Sequence, residues 1–269
     1  MEARPSDRPM LSLLLNIYPD DGQHARLETA IMLVKSQGGH INCIQVITLP
    51  LAVGDPASAL TEAESLKAME KVANKHKEQL EVRLYEAGVG WSWNRLYGDA
   101  AATIVRQSRL ADMIVLSARD SYPPISSVTL HGRAPVLAVT QNSASLDTNG
   151  PALVAWNGSR PAATAMRAAL PILGMMEPVQ VLCVDKDSEE FPSARALAYL
   201  KHHAVLSEGH WRDSDDKPVA DAIIAFAEQL GSGLIVAGAF GHNRIREMLL
   251  GSVTRSLLKT SPLPLLLAH

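Results

Sequence analysis

Short uninterrupted apolar runs recur along this chain, each followed by a longer stretch whose apolar residues return every three to four positions. The first pattern marks strands buried on both faces, and the second marks helices lying on a sheet. Runs at Met10 to Ile17, His40 to Thr48, Trp91 to Leu96, Met113 to Ser117 and Val136 to Thr140 predict strands. Between them the spacing predicts helices near Gln23 to Ser36, Leu60 to Gln79 and Ala100 to Ser108. The small, polar stretch Gln141 to Gly150 then breaks the pattern as a linker does.

Beyond it the same order returns. Strands are predicted at Ala152 to Trp156, Val179 to Val184, Ala204 to Trp211, Leu234 to Ala237 and Leu263 to Ala268. Helices are predicted near Ala162 to Leu173, Ser193 to His202, Val219 to Leu230 and Val253 to Lys259. Ile114-Val-Leu-Ser-Ala118 matches Ile235-Val-Ala-Gly-Ala239, and Ala134-Pro-Val-Leu-Ala138 matches Leu263-Pro-Leu-Leu-Leu267. From Ala118 to Pro135 is 17 positions, but from Ala239 to Pro264 is 25, so the second half carries eight extra residues there. The expected architecture is α/β, with two tandem doubly wound domains at residues 1–142 and 151–269. Each is expected to hold a mainly parallel five-stranded sheet flanked by helices. Such sheets take ligands beyond the carboxyl ends of their strands, where strand order reverses.

Composition narrows the classes. At ~150 residues per domain, a chain of 269 residues suits two domains. Hydrophobic residues reach 47% and aromatic ones only 4%, so Ala, Leu, Val and Ile must do the packing. A net charge of −3 without a long basic run argues against nucleic acid or an anionic membrane as partner. The opening MEARPSDRPM lacks a signal-peptide core, and no apolar stretch approaches the ~18 to 20 residues that span a bilayer. Cys43 and Cys183 sit in strand-like runs and read as small buried hydrophobes in a reducing cytoplasm.

The eight extra residues coincide with the most chemically pointed segment, GAFGHNRIREMLLGSVT from Gly238 to Thr254. A strand, a glycine-punctuated loop and a helix start form an arrangement that holds phosphates. Glycine lets the backbone approach an anion, and the helix N-terminus offers free N–H groups. Arg244 and Arg246 lie within the loop and could add charge-assisted contacts. In the first half its place is taken by Ser117-Ala-Arg-Asp-Ser-Tyr-Pro-Pro124, which lacks a glycine pair and loses two N–H donors to proline. The turn Tyr18-Pro-Asp-Asp21 is expected to present carboxylates to any polyphosphate, so the first half is not expected to bind one in this way.

Gly238, two residues, Gly241, nine residues, Gly251 and Ser252 together resemble the phosphate loop of nucleotide-binding universal stress proteins. Val154-Ala-Trp-Asn-Gly-Ser159 is similar to that family's first strand and turn. The element order resembles the family's tandem two-domain form over the whole chain, with the strong motifs confined to residues 151–269. The resemblance implies an adenine nucleotide alpha hydrolase-like fold and ATP, with or without Mg, in the second half. It would place Ala155 and Val184 against the base and Asn157 near adenine and ribose. Gly238 and Gly241 would lie along ribose and α-phosphate, with Gly251, Ser252 and Val253 at the β- and γ-phosphates. The family usually has Asp where Asn157 stands, and Asn keeps a carbonyl acceptor for the adenine amino group.

The resulting expectation is a cytoplasmic stress-response regulator that senses ATP, with a protein partner the sequence does not name. Pairing of Val136 to Thr140 with Leu263 to Ala268 would make a pseudo-dimer within one chain and leave a further homodimer open. Two alternatives stand beside it, an interaction scaffold that binds no nucleotide and a slow ATPase. No Gly-x-Ser-x-Gly elbow, Walker lysine loop or Cys-x-x-Cys occurs, and nothing fixes a general base, so the chain is not expected to be an enzyme by design. His202, His203 and His210 beside Asp213, Asp215 and Asp216 read as a polar helix end, not as converging metal ligands. The charged helix Leu60 to Gln79 reads as a solvated face.

Overall fold

A computed structural model of the protein describes residues 10–48, 56–118, 122–141, 145–176, 178–239 and 251–269. The first half runs β1 (Leu11–Ile17), α1 (Gln23–Gln37), β2 (Gly39–Ile47), α2 (Pro56–Ala87), β3 (Gly90–Tyr97), α3 (Ala100–Gln107), β4 (Met113–Ser117), α4 (Ile125–His131) and β5 (Val136–Val139). The second runs β6 (Ala152–Ala155), α5 (Arg160–Leu173), β7 (Val179–Val184), α6 (Ser193–His202), β8 (Ser207–Arg212), α7 (Val219–Gln229), β9 (Leu234–Gly238), α8 (Ser252–Thr260) and β10 (Leu265–Ala268). All strands within a half are parallel, and the repeat expected from the sequence is present.

The two sheets are not separate. They form one ten-stranded sheet in the order β3-β2-β1-β4-β5-β10-β9-β6-β7-β8. The seam is the expected pairing of β5 with β10, antiparallel, with Leu137 opposite Leu266. Two apolar edges that would otherwise template aggregation are thereby covered. Because the halves run antiparallel across the seam, the carboxyl ends of β1 and β6 face opposite ends of the molecule.

Helices cover both faces in a fixed division. Side chains of α1, α2, α5 and α6 share one core layer with Leu13, Leu15, Val154 and Leu266. Side chains of α3, α4, α7 and α8 share the other with Leu14, Ile114, Ile235 and Leu265. Alternate residues of one strand enter opposite layers, which is why these strands read as unbroken apolar runs. Cys43 and Cys183 are buried free thiols, and burial pushes them up to about 12 and about 11.

Three elements differ from expectation. Helix α2 extends well past Gln79, because Leu84 and Ala87 continue its buried stripe. Helix α4 was not expected: ISSVTLH is short and rich in β-branched and hydroxyl residues, which favour helix poorly. Strand β8 begins at Ser207 and not Ala204, because Ala204 takes a left-handed conformation (φ 57°) just beyond α6.

Candidate functional site

In the second half β6 stands between β7 and β9, and α5 and α8 pack on opposite faces. This reversal opens a crevice at the strands' carboxyl ends. A cavity of about 430 Å³ lies there. Ala155 ends β6, Val184 ends β7, Gly238 ends β9, and Asn157 lies in the turn before α5. Gly251, Ser252 and Val253 form the entry to α8. All seven line the cavity. Gly241, Arg244 and Arg246 lie outside the described residues.

Close backbone approach explains Gly238. A Cβ there would sit 2.5 Å from the Ala162 amide nitrogen and 2.7 Å from the Pro161 carbonyl carbon. The glycine therefore lets α5 begin directly over the end of β9, a packing reason beyond contact with a ligand. Across the cavity floor, Thr254 Oγ1 donates to the Gly238 carbonyl at 3.1 Å. This bond fixes the first turn of α8 against β9. Helix α8 has Gly251 as its N-cap and, among the described residues, no side chain capping it. Its first N–H groups lack partners within the helix, and the positive end of the helix dipole faces the cavity.

Asn157 differs from the expectation of a free carbonyl acceptor. Its Oδ1 accepts the Ser159 N–H at 3.1 Å, closing an Asx turn. Ser159 in turn caps α5 through the Ala162 N–H at 3.3 Å. The side chain builds the turn first and has one acceptor lone pair left for a ligand.

Several wall residues escaped the sequence reading. Val219 and Ile223, one turn apart on α7, form an apolar wall facing Leu182 and Val184. Their i,i+4 spacing was legible, but nothing local says that this face meets a cavity. Trp156, 2% exposed, lines it too, with its ring nitrogen donating to the Phe191 carbonyl at 3.2 Å. Behind β7, Asp187 accepts Ser193 N–H and hydroxyl at 2.9 and 2.6 Å and Ser188 N–H at 2.8 Å. Burial pushes its carboxyl up, yet these bonds outweigh burial and hold it below the ordinary value. No Asp, Glu, Lys, Arg or His lines the cavity among the described residues.

Strand register identifies the corresponding positions of the first half. Leu14 pairs with Ile114 as Leu153 pairs with Ile235. Asn16 pairs with Ile44 as Ala155 pairs with Leu182. Ala155, Asn157, Val184 and Gly238 thus correspond to Asn16, Tyr18, Val46 and Ser117. There Tyr122 intrudes: its carbonyl accepts Asn16 Nδ2 at 2.8 Å, its ring packs 4.7 Å from Tyr18, and its hydroxyl pairs with Thr48. Ser117 Oγ pairs with the fully buried Arg26. Arg26 also donates to both Asp20 oxygens at 2.8 and 3.0 Å, to the carbonyls of Tyr18 and Asn16, and to Gln23. The expectation that the Tyr18–Asp21 turn presents its carboxylates to a polyphosphate is corrected at Asp20, whose carboxylate is held by Arg26.

Among the described residues no group of three His, Cys, Asp or Glu comes together to hold a metal ion, and no helix is long and apolar enough to cross a membrane.

No functionally curated protein matches the sequence. A sequence model described as the Universal stress protein family matches residues 149–269. In structure the chain is similar to a universal stress protein from Archaeoglobus fulgidus DSM 4304, with a TM-score of 0.72, 19% identity and 96% of each chain covered. It is also similar to a functionally unknown protein from Pseudomonas aeruginosa PAO1, with a TM-score of 0.66, 16% identity, and 97% of this chain and 93% of that one covered. Residues 149–269 therefore match the universal stress protein family, in a chain that carries the α/β fold twice in tandem.

Proposed function

We propose that the second half binds ATP and that the chain acts as a nucleotide-dependent stress regulator, not as a catalyst. The observation that carries this reading is the convergence of Ala155, Asn157, Val184, Gly238, Gly251, Ser252 and Val253 on one cavity. Its two ends differ chemically. Ala155, Leu182, Val184, Val219 and Ile223 offer apolar surface to a base, whereas the uncapped start of α8 offers amides and a hydroxyl to phosphate oxygens. Amide donors suit an anion, and the apolar end favours a flat ring over free phosphate. Any Mg would arrive with the nucleotide's own oxygens as ligands.

Denaturing the purified protein, before and after incubation with Mg·ATP, and separating the released small molecules tests the reading. Recovery of ATP supports it. An empty protein under both conditions favours a scaffold that binds no nucleotide, and recovery as ADP with phosphate release lost in Ser252→Ala favours a slow ATPase.

A further inference from the structure

The first half keeps a larger cavity, about 550 Å³, at the carboxyl ends of β1 and β2 against the middle of α2. We propose that this cavity binds an uncharged, largely apolar small molecule of one or two rings, in place of the nucleotide expected in the second half.

Three observations lead there. The nucleotide-equivalent positions are already occupied from within. Tyr122 is held by Asn16, Tyr18 and Thr48 where a base would lie, and Arg26 is held by Asp20 and Ser117 beside the end of β4. Tyr122 becomes a wall of the remaining space, which α2 bounds and no α3 residue lines among the described residues.

That space is apolar in chemistry and not only in composition. Ile17, Val46, Ile47 and Ala73 line it, and no Asp, Glu, Lys, Arg or His does so among the described residues. Its polar groups are engaged with one another or with the protein. Gln45 donates from Nε2 to the Ala73 carbonyl at 3.1 Å and accepts Arg95 Nε at 3.0 Å. The Tyr122 hydroxyl pairs with Thr48, the Tyr18 N–H donates to Gln23, and the Tyr18 carbonyl accepts Arg26. A charged ligand would lose its hydration there and meet no charged partner among the described residues, whereas an apolar one loses nothing.

The mouth is apolar as well. Met69 and Val72, three apart on α2, line the cavity while 40% and 56% exposed, on a helix otherwise rich in charge. A volume near 550 Å³ lies within the ~300–1,000 Å³ of small-molecule sites.

The test is titration of the intact chain with N-phenyl-1-naphthylamine, a probe that is uncharged at neutral pH and fluoresces in apolar surroundings. Saturable binding of one probe per chain is expected. Val72→Asp and Met69→Lys, both at exposed positions, should each weaken it roughly tenfold or more by charging the mouth. Circular dichroism should show the fold and melting temperature unchanged in both variants. Absence of saturable binding overturns the proposal. So does binding that both variants leave untouched, because the probe then sits elsewhere, for instance in the second-half cavity.

Discussion

Leu137 and Leu266 face each other across the seam between β5 and β10, and they occupy equivalent positions in the two halves. The equivalence follows from register: Ile114 pairs with Val136 as Ile235 pairs with Leu265, so Leu137 and Leu266 are the next residue in each strand. A local two-fold axis therefore passes between them, perpendicular to the sheet, and both side chains enter the same core layer fully buried. The repeat is joined the way two subunits would be, with the linker fixing the partner.

One consequence is cooperative unfolding. Because a single core layer runs across the seam, Leu137→Ala should destabilise the whole chain by about 2–5 kcal/mol, the usual cost of truncating a fully buried leucine. Urea denaturation followed by circular dichroism should give one transition shifted to lower urea. Two separate transitions, with only the first moved, would show that the halves fold independently.

A backbone substitution isolates the phosphate end of the proposed site. Ser252 is the first residue of α8, where proline is well tolerated, and Gly251 already has the extended conformation (φ −55°, ψ 148°) that proline requires of its predecessor. Ser252→Pro should keep its melting temperature and lose both an amide donor and a hydroxyl. ATP affinity should fall by roughly tenfold or more, since hydrogen bonds to a charged group contribute about 1.5–3 kcal/mol each. Unchanged affinity with unchanged stability would remove α8 from the site.

Arg26 is a structural ion. Its guanidinium is fully buried and tied to Asp20, Asn16, Tyr18, Gln23 and Ser117. Burial lowers its pKa and the neighbouring Asp20 raises it, so the pair is stable only together. Arg26→Met should cost about 3–5 kcal/mol by leaving Asp20 without its partner. Lysine cannot reproduce the fork of bonds and should not rescue. Second-half ATP binding, measured below the melting temperature, should persist.

His76 supplies a pH signature. Burial first, and then the nearby Arg26 charge, hold its pKa below the ordinary value, and its Nδ1 is buried without a hydrogen-bond partner. The unfolded chain therefore binds the proton more readily. Stability should fall as pH drops through the unfolded value of about 6.5 and level off below the folded one. His76→Gln should flatten part of that slope in melting temperature against pH. Burial and Arg133 depress His269 as well, so part of the slope should remain. A variant curve parallel to the wild type would contradict this.

The residue pattern carried most of the fold because both faces of the sheet are covered. Runs such as Ile114-Val-Leu and Ile235-Val-Ala cannot be mistaken for surface, and their repetition revealed the tandem order; the seam was expected from the family resemblance. What the pattern hid depends on partners distant in sequence. Arg26 was not singled out in the sequence, because nothing local shows that Ser117, 91 residues away, joins the nearby Asp20 around it. Tyr122 read as part of a proline-rich loop, and its role as a wall follows only from Asn16 and Thr48. The glycine motif was legible as a motif, yet Gly238 turned out to have a packing reason in Pro161 and Ala162 that spacing could not reveal. Asn157 was read for what it could offer a base, while its nearest obligation is the Ser159 amide.

The central claim is that the amides opening α8 hold the phosphates of ATP and that the first half holds none. Hydrogen–deuterium exchange of the intact chain with and without Mg·ATP tests it most directly. The account predicts slowed exchange at residues 251–254 and in the turn at Asn157 to Ser159, with residues 16–23 and 45–48 unchanged. Protection confined to those first-half segments, or none at the start of α8 with saturating ATP, would contradict it.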